Sequence, residues 1–300
     1  MRMLYCRTGA MAAAFVLGYF SPWAAAYSWL IRWLIVAMMF PAMLQARFSL
    51  RSVRPVHLMI FAANLAIGLG GWAVFAAAGR PELAQAAFFT GITPTAAAAP
   101  VIVGLLGGRV DFALSAFLVT NLGMAPLLVL LIPAVVGNPA PGMFLKVLGS
   151  LAVVIGVPLA AAVPVRCFYP KAQEIPKRLK NVTFFLWTLV IFLIIGNASE
   201  FLRSRPESGG MLAAEIALLS LAICVLNFTV GRRLGPRKFR RESGQVLGQK
   251  NTSLTIYLAL GCAGPAAALG PACYVFWHNT WNALQLHWYS RRRLKRARRD

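Results

Sequence analysis

Lys250 lies in the stretch SGQVLGQKNTSLTIYLAL, Ser243 to Leu260, which otherwise reads as a membrane segment. The nearest basic loop residue, Arg241, is nine positions back. At about 1.5 Å per residue that puts Lys250 about 13 Å deep, near the middle of a hydrocarbon core about 30 Å thick. An ammonium ion at that depth is costly, and it persists where it faces protein or water and has a role. Its neighbours are also unusual for a span. Gly244 and Gly248 weaken the helix, while Gln245, Gln249, Asn251, Thr252 and Ser253 crowd polar groups that lipid would reject.

A second run, GITPTAAAAPVIVGLLGG, holds Pro94 and Pro100 six apart with only small residues, Thr95 to Ala99, between them. Each proline lacks a backbone donor and frees a carbonyl one turn back, so the run predicts a helix that unwinds mid-membrane. Broken helices offer free N–H groups to anions and free carbonyls to cations. The candidate anion site is therefore Thr93, Thr95, Ala97, Ala98 and Ala99 facing Asn251, Thr252 and Ser253. The candidate cation site is Lys250 with Gln249, and Asn121 in the middle of the following span could line the same cavity.

Other reactive residues read as structural. The spans contain no aspartate pair and no G-x-S-x-G or H-E-x-x-H run, so no catalytic residue and no enzyme activity is expected. His278 and His287, among Trp277, Trp281 and Trp288, read as an interfacial aromatic belt. His57 reads as a surface residue, Glu215 as interfacial, Asp111 as a local partner of Arg109, and Arg32 as snorkelling. The five cysteines are scattered and read as packing residues, with no metal site.

The elements that hold these residues follow from composition. Of the 300 residues 59% are apolar and 13% charged, and the mean hydropathy is +0.68. That leaves too little polar material for the shell of a soluble domain. Ten apolar segments are read at 8–24, 27–46, 56–79, 84–107, 111–136, 145–165, 181–199, 211–230, 243–262 and 266–289, all joined by short loops. The first resembles a signal peptide but is read as a retained helix, because ten spans give a coherent topology.

A net charge of +22 would point to nucleic acid in a soluble protein, but here it follows the loops. Of the 30 Lys and Arg, Arg80, Lys146, Arg203 and Arg205 fall on one side, Arg32 and Lys250 lie within segments, and the rest fall on the other side. The positive-inside rule then gives cytoplasmic N- and C-termini in a cell inner membrane. The basic tail, 290–300, is expected against anionic lipid headgroups, with no nucleic-acid partner.

Ten spans divide into five and five, and an odd number inverts the second half relative to the first. Both halves carry their interrupted segment fourth, which is a pointer to a transport site. The expected fold is all-α: ten transmembrane helices in two inverted five-helix repeats, with discontinuous helices 4 and 9 crossing.

The runs GITPTAAAAPVIVGLLGGRVDFALS, MAPLLVLLIP and SGQVLGQKNTSLTIYLAL resemble the two crossing regions of the bile acid:sodium symporter family. The resemblance implies one transmembrane unit with a panel (helices 1, 2, 6 and 7) and a core (helices 3–5 and 8–10). It also implies alternating-access transport of a small organic anion with sodium. The sequence departs from the family's sodium ligands. The ninth-helix glutamate falls at Val246 and the glutamine at Lys250; the fourth-helix Ser-Asn pair falls at Ala99 and Pro100. The fifth-helix hydroxyls fall near Ser115 and Val119, so Ser115 alone could coordinate. The resemblance therefore implies a sodium-independent carrier without a cofactor, in which Lys250 replaces a sodium ion, couples transport to a proton, or faces the substrate anion. A passive permease or channel, and a transport-dead sensor, are the alternatives.

Overall fold

A computed structural model describes residues 2–45, 53–96, 98–136, 145, 149, 152–169, 171–204 and 209–297. Among the described residues the chain is helical, with no strand and one isolated β-bridge. The helices are α1 (Arg2–Tyr19), α2 (Ser28–Gln45), α3 (Pro55–Ala77), α4 (Pro81–Gly91), α5 (Ala99–Leu105) and α6 (Val110–Val136). They continue as α7 (Val157–Phe168), α8 (Lys180–Arg203), α9 (Gly209–Leu234), α10 (Arg240–Gly248), α11 (Thr252–Cys262) and α12 (Pro265–Ala297).

Among the described residues four helical stretches are long and apolar enough to cross a membrane: Pro55–Ala77, Val110–Val136, Asn181–Phe201 and Gly209–Leu234. They identify an integral membrane protein by the length and hydropathy a bilayer requires. A fifth candidate, Gly9–Tyr19 with Pro22–Ile31, is bent by 103°. The sequence predicts one helix through 8–24, but α1 stops at Tyr19. Pro22, which has no N–H to continue the ladder, instead opens a 3-10 turn, Pro22–Tyr27.

The predicted fourth and ninth segments are both broken. α4 and α5 are separated by residues 92–98, and α10 and α11 by residues 249–251. Pro100 sits in the first turn of α5, where a missing N–H costs nothing. The two glycines of the later run differ in role. Gly244 lies inside α10, where an added Cβ would come within 3.3 Å of Phe228 O on α9, and only Gly248 ends the helix. Close packing through small residues is how apolar helices gain contact in lipid.

His57 departs from its predicted surface position, and His278, read as part of an interfacial aromatic belt, faces the protein interior. His57 is buried in the first turn of α3, where Nδ1 accepts the Arg54 N–H at 3.0 Å and the ring lies 4.4 Å from Phe112. His278 is buried with Tyr274 and Asn282, one turn away on either side, because that stripe of α12 faces inward. Asp111 does pair with Arg109, at 3.0 Å, and Glu215 pairs with Arg80 at 2.5 Å. The latter pair is half exposed, so Glu215→Gln should cost under about 1 kcal/mol in thermal unfolding.

Candidate functional site

Unwinding two helices inside an apolar bundle frees backbone groups that water cannot reach, and each needs a partner. The two breaks supply them to each other. Ala96 N–H donates to Gln249 O at 2.8 Å, and Asn251 N–H donates to Pro94 O at 2.7 Å. These two bonds make the antiparallel bridge between Thr95 and Lys250. The breaks predicted separately from Pro94 and Gly248 therefore cross backbone to backbone.

Side chains take the remaining groups. Thr95 Oγ1 donates to Val246 O at 2.7 Å, and Thr95 N–H donates to Thr120 Oγ1 at 3.2 Å. Asn121 Nδ2 donates to Thr95 O at 2.9 Å and to Phe117 O at 2.7 Å. Tyr274 hydroxyl donates to Gly248 O at 2.8 Å and accepts from Asn227 Nδ2 at 3.2 Å. Thr93 Oγ1 donates to Phe89 O at 2.6 Å and lies 2.9 Å from Thr255 Oγ1.

Lys250 is only 2% exposed. Its Nζ donates to Gly91 O at 3.2 Å and makes a short contact with Asn64 Oδ1. Gly91 ends α4, so its carbonyl belongs to the negative end of that helix, where a cation is favoured. In an unbroken helix that carbonyl would accept from Thr95 N–H, which here turns to Thr120. Among the described residues no carboxylate forms an ion pair with Lys250. Among the described residues its two acceptors are therefore both neutral oxygens.

Asn64 reaches it because His57, Ile60, Asn64 and Gly68 form one buried stripe of α3, spaced three and four residues apart. At Gly68 and Gly91 the backbones of α3 and α4 touch. A Cβ on Gly91 would lie 2.7 Å from Gly68 Cα.

The other predicted residues divide by position. Asn251 and Asn121 are half-buried, with Asn251 Nδ2 donating to Asn121 Oδ1 at 3.4 Å. Ala98 is exposed, whereas Ala99, Thr252 and Ser253 are buried. This side of the crossing is more open than the Lys250 side. Gln249 is buried and donates to Gln245 Oε1 at 3.5 Å. Ser115 stays on its own helix, donating to Asp111 O at 3.1 Å, and is not drawn into the crossing by any of these bonds. Ala97 lies outside the described residues.

Asn64, Gly91 and Tyr274 were not predicted from the sequence, whereas Thr120 was read with Asn121 as a cavity-lining or helix–helix hydrogen-bonding residue. Asn64 was findable, as a lone amide in the apolar run FAANLAIGLGG, because a polar side chain at that depth in a span marks an interior contact. No family model matches this chain, and a search among curated proteins finds no match.

Proposed function

We propose that the chain is a secondary transporter of a small organic anion, working by alternating access and resembling the bile acid:sodium symporter family. On this reading it has ten spans in two inverted repeats, a panel and a core, with both termini cytoplasmic in a cell inner membrane. The observation that carries the reading is the crossing itself. Two interrupted helices meet through paired backbone hydrogen bonds, with a buried amine capping the end of one of them. Structures of that kind, irregular backbone at membrane depth enclosed by protein, are a hallmark of transport sites.

The residues around Lys250 do not fit a resident sodium ion. A hard monovalent cation needs several oxygens, and the two nearest, Asn64 Oδ1 and Gly91 O, already accept from the amine. Val246, at the family's glutamate position, is fully buried in an apolar cluster with Val56, Ile60 and Phe112. Lys250 therefore serves as a built-in cation, donating to two oxygens of the kind an ion would gather. It is not the direct counter-ion of the substrate. The amine lies on the closed side of the crossing, and the anion is held beside the half-buried Asn121 and Asn251 and the exposed Ala98.

A thermal-shift screen of purified protein with organic acids tests this. At least one small organic anion should raise the melting temperature by the same amount in sodium chloride and in choline chloride. A shift that requires sodium would overturn the ion-independent reading. A ligand that shifts melting but shows no counterflow in proteoliposomes would mean a sensor rather than a carrier.

A further inference from the structure

The described residues line an open cavity of about 1270 Å³ at the basic end of the bundle. It is bounded by α9, α10 and α12 together with the turn after α5. Its wall carries six cations: Arg232 and Arg233 from the end of α9, Arg237 and Lys238 from the following turn, and Arg240 and Arg241 from α10. The one acid in the wall, Glu242, is buried and accepts the Arg109 N–H at 3.0 Å. Arg241 is fixed in place, donating to Leu106 O at 2.6 Å and lying 5.5 Å from the centre of the Tyr289 ring. The floor is uncharged, closed by a contact between Gln245 and Gln285. A concave wall with so large an excess of one charge concentrates anions.

The chemistry that fits is a phosphate group, which guanidinium forks bind in pairs. Its source is indicated by the rim. Trp281 and Trp288 line the cavity and are 36% and 49% exposed, with ring centres 6.0 Å apart. Leu284 is exposed on the same face of α12, and Val225 and Leu226 are exposed on α9. Apolar surface thus continues from the cavity along the helices, and tryptophans favour the headgroup level of a bilayer. We propose that this cavity binds the phosphate headgroup of an anionic phospholipid, whose acyl chains lie along the exposed faces of α9 and α12. Basic pockets between membrane helices hold such headgroups. The proposal rests on the chain being a membrane protein and not on the transport reading.

Native mass spectrometry of delipidated protein tests it, with phosphatidylglycerol, phosphatidylcholine and glycerol phosphate as probes. Phosphatidylglycerol should bind at least about ten-fold more tightly than phosphatidylcholine. Combining Arg232→Gln, Arg237→Gln and Lys238→Gln should abolish the preference, at about five-fold per charge removed. The charge-preserving pair Arg232→Lys and Arg237→Lys should keep most of it, which separates loss of the site from loss of fold. Equal binding of the two lipids, or a preference unchanged in the neutralised variant, would overturn the proposal. Glycerol phosphate binding with the same charge dependence, and displacing the lipid, would overturn it in favour of a soluble phosphate ester.

Discussion

Asn64→Leu will destabilise the protein by about 3–5 kcal/mol, and adding Lys250→Met to it will recover most of that loss. The asymmetry follows from what each substitution leaves behind. Asn64→Leu keeps the amine buried but takes away one of its two acceptors, and an under-compensated buried charge is the costliest defect of this type. Lys250→Met alone removes the charge and leaves the Asn64 and Gly91 oxygens unpaired, at about 1–3 kcal/mol each, partly offset by no longer burying an ammonium ion. The double variant replaces both side chains with apolar groups and leaves only the Gly91 carbonyl without its partner. It should lie within a few kcal/mol of the parent and yet, on the proposed reading, lose uptake. Denaturant unfolding of the four proteins in one detergent gives the cycle, and a coupling energy of about 2 kcal/mol or more is expected. A cost near 1 kcal/mol for Asn64→Leu, with no coupling, would match an ordinary neutral hydrogen bond and contradict a fixed buried cation.

Gly91→Ala will cost about 1–3 kcal/mol and, on the proposed transport reading, will disable uptake, although it adds one methyl group. The added carbon would meet Gly68 Cα at 2.7 Å, Gly68 N at 2.8 Å and Ile67 C at 3.0 Å. All three are backbone atoms, so no side chain can turn aside, and α3 must move away from α4. That movement would separate Asn64, on α3, from the amine that also binds Gly91 O. Gly70 is a built-in control, since a Cβ there meets nothing within 4 Å. Gly70→Ala should stabilise α3 by about 0.5–1 kcal/mol through helix propensity and leave transport unchanged. Melting temperatures of the two variants should therefore move in opposite directions.

Much of this site was legible in the residues. Pro94 and Pro100 with the small residues between them mark one break and the Gly248–Ser253 run the other; proline alone does not suffice, since α6 runs through Pro126 and Pro133. The burial of Lys250 against protein was legible too, because an ammonium ion in an otherwise apolar run persists where protein or water surrounds it. What Lys250 touches was not legible. Asn64 is 186 positions away, and nothing local to either residue indicates that α3 passes the crossing. The closeness of α3 and α4 at Gly68 and Gly91 is likewise a property of the pair, although each glycine is unremarkable in its own helix. His57 was misplaced at the surface for a related reason. It lies near a span end, where an exposed position is the usual outcome, but it shares a stripe with buried residues, and the stripe decides. The bend after Tyr19 was passed over because the apolar run continues through Pro22 and hydropathy does not register a missing N–H.

The central claim is that Lys250 does permanently what a dissolved cation does in carriers of this type. Uptake of the organic anion into proteoliposomes, with sodium replaced completely by choline at fixed pH and ionic strength, measures it most directly. The account predicts equal initial rates in the two salts for the parent protein. Uptake that stops in choline and returns in proportion to added sodium would contradict it.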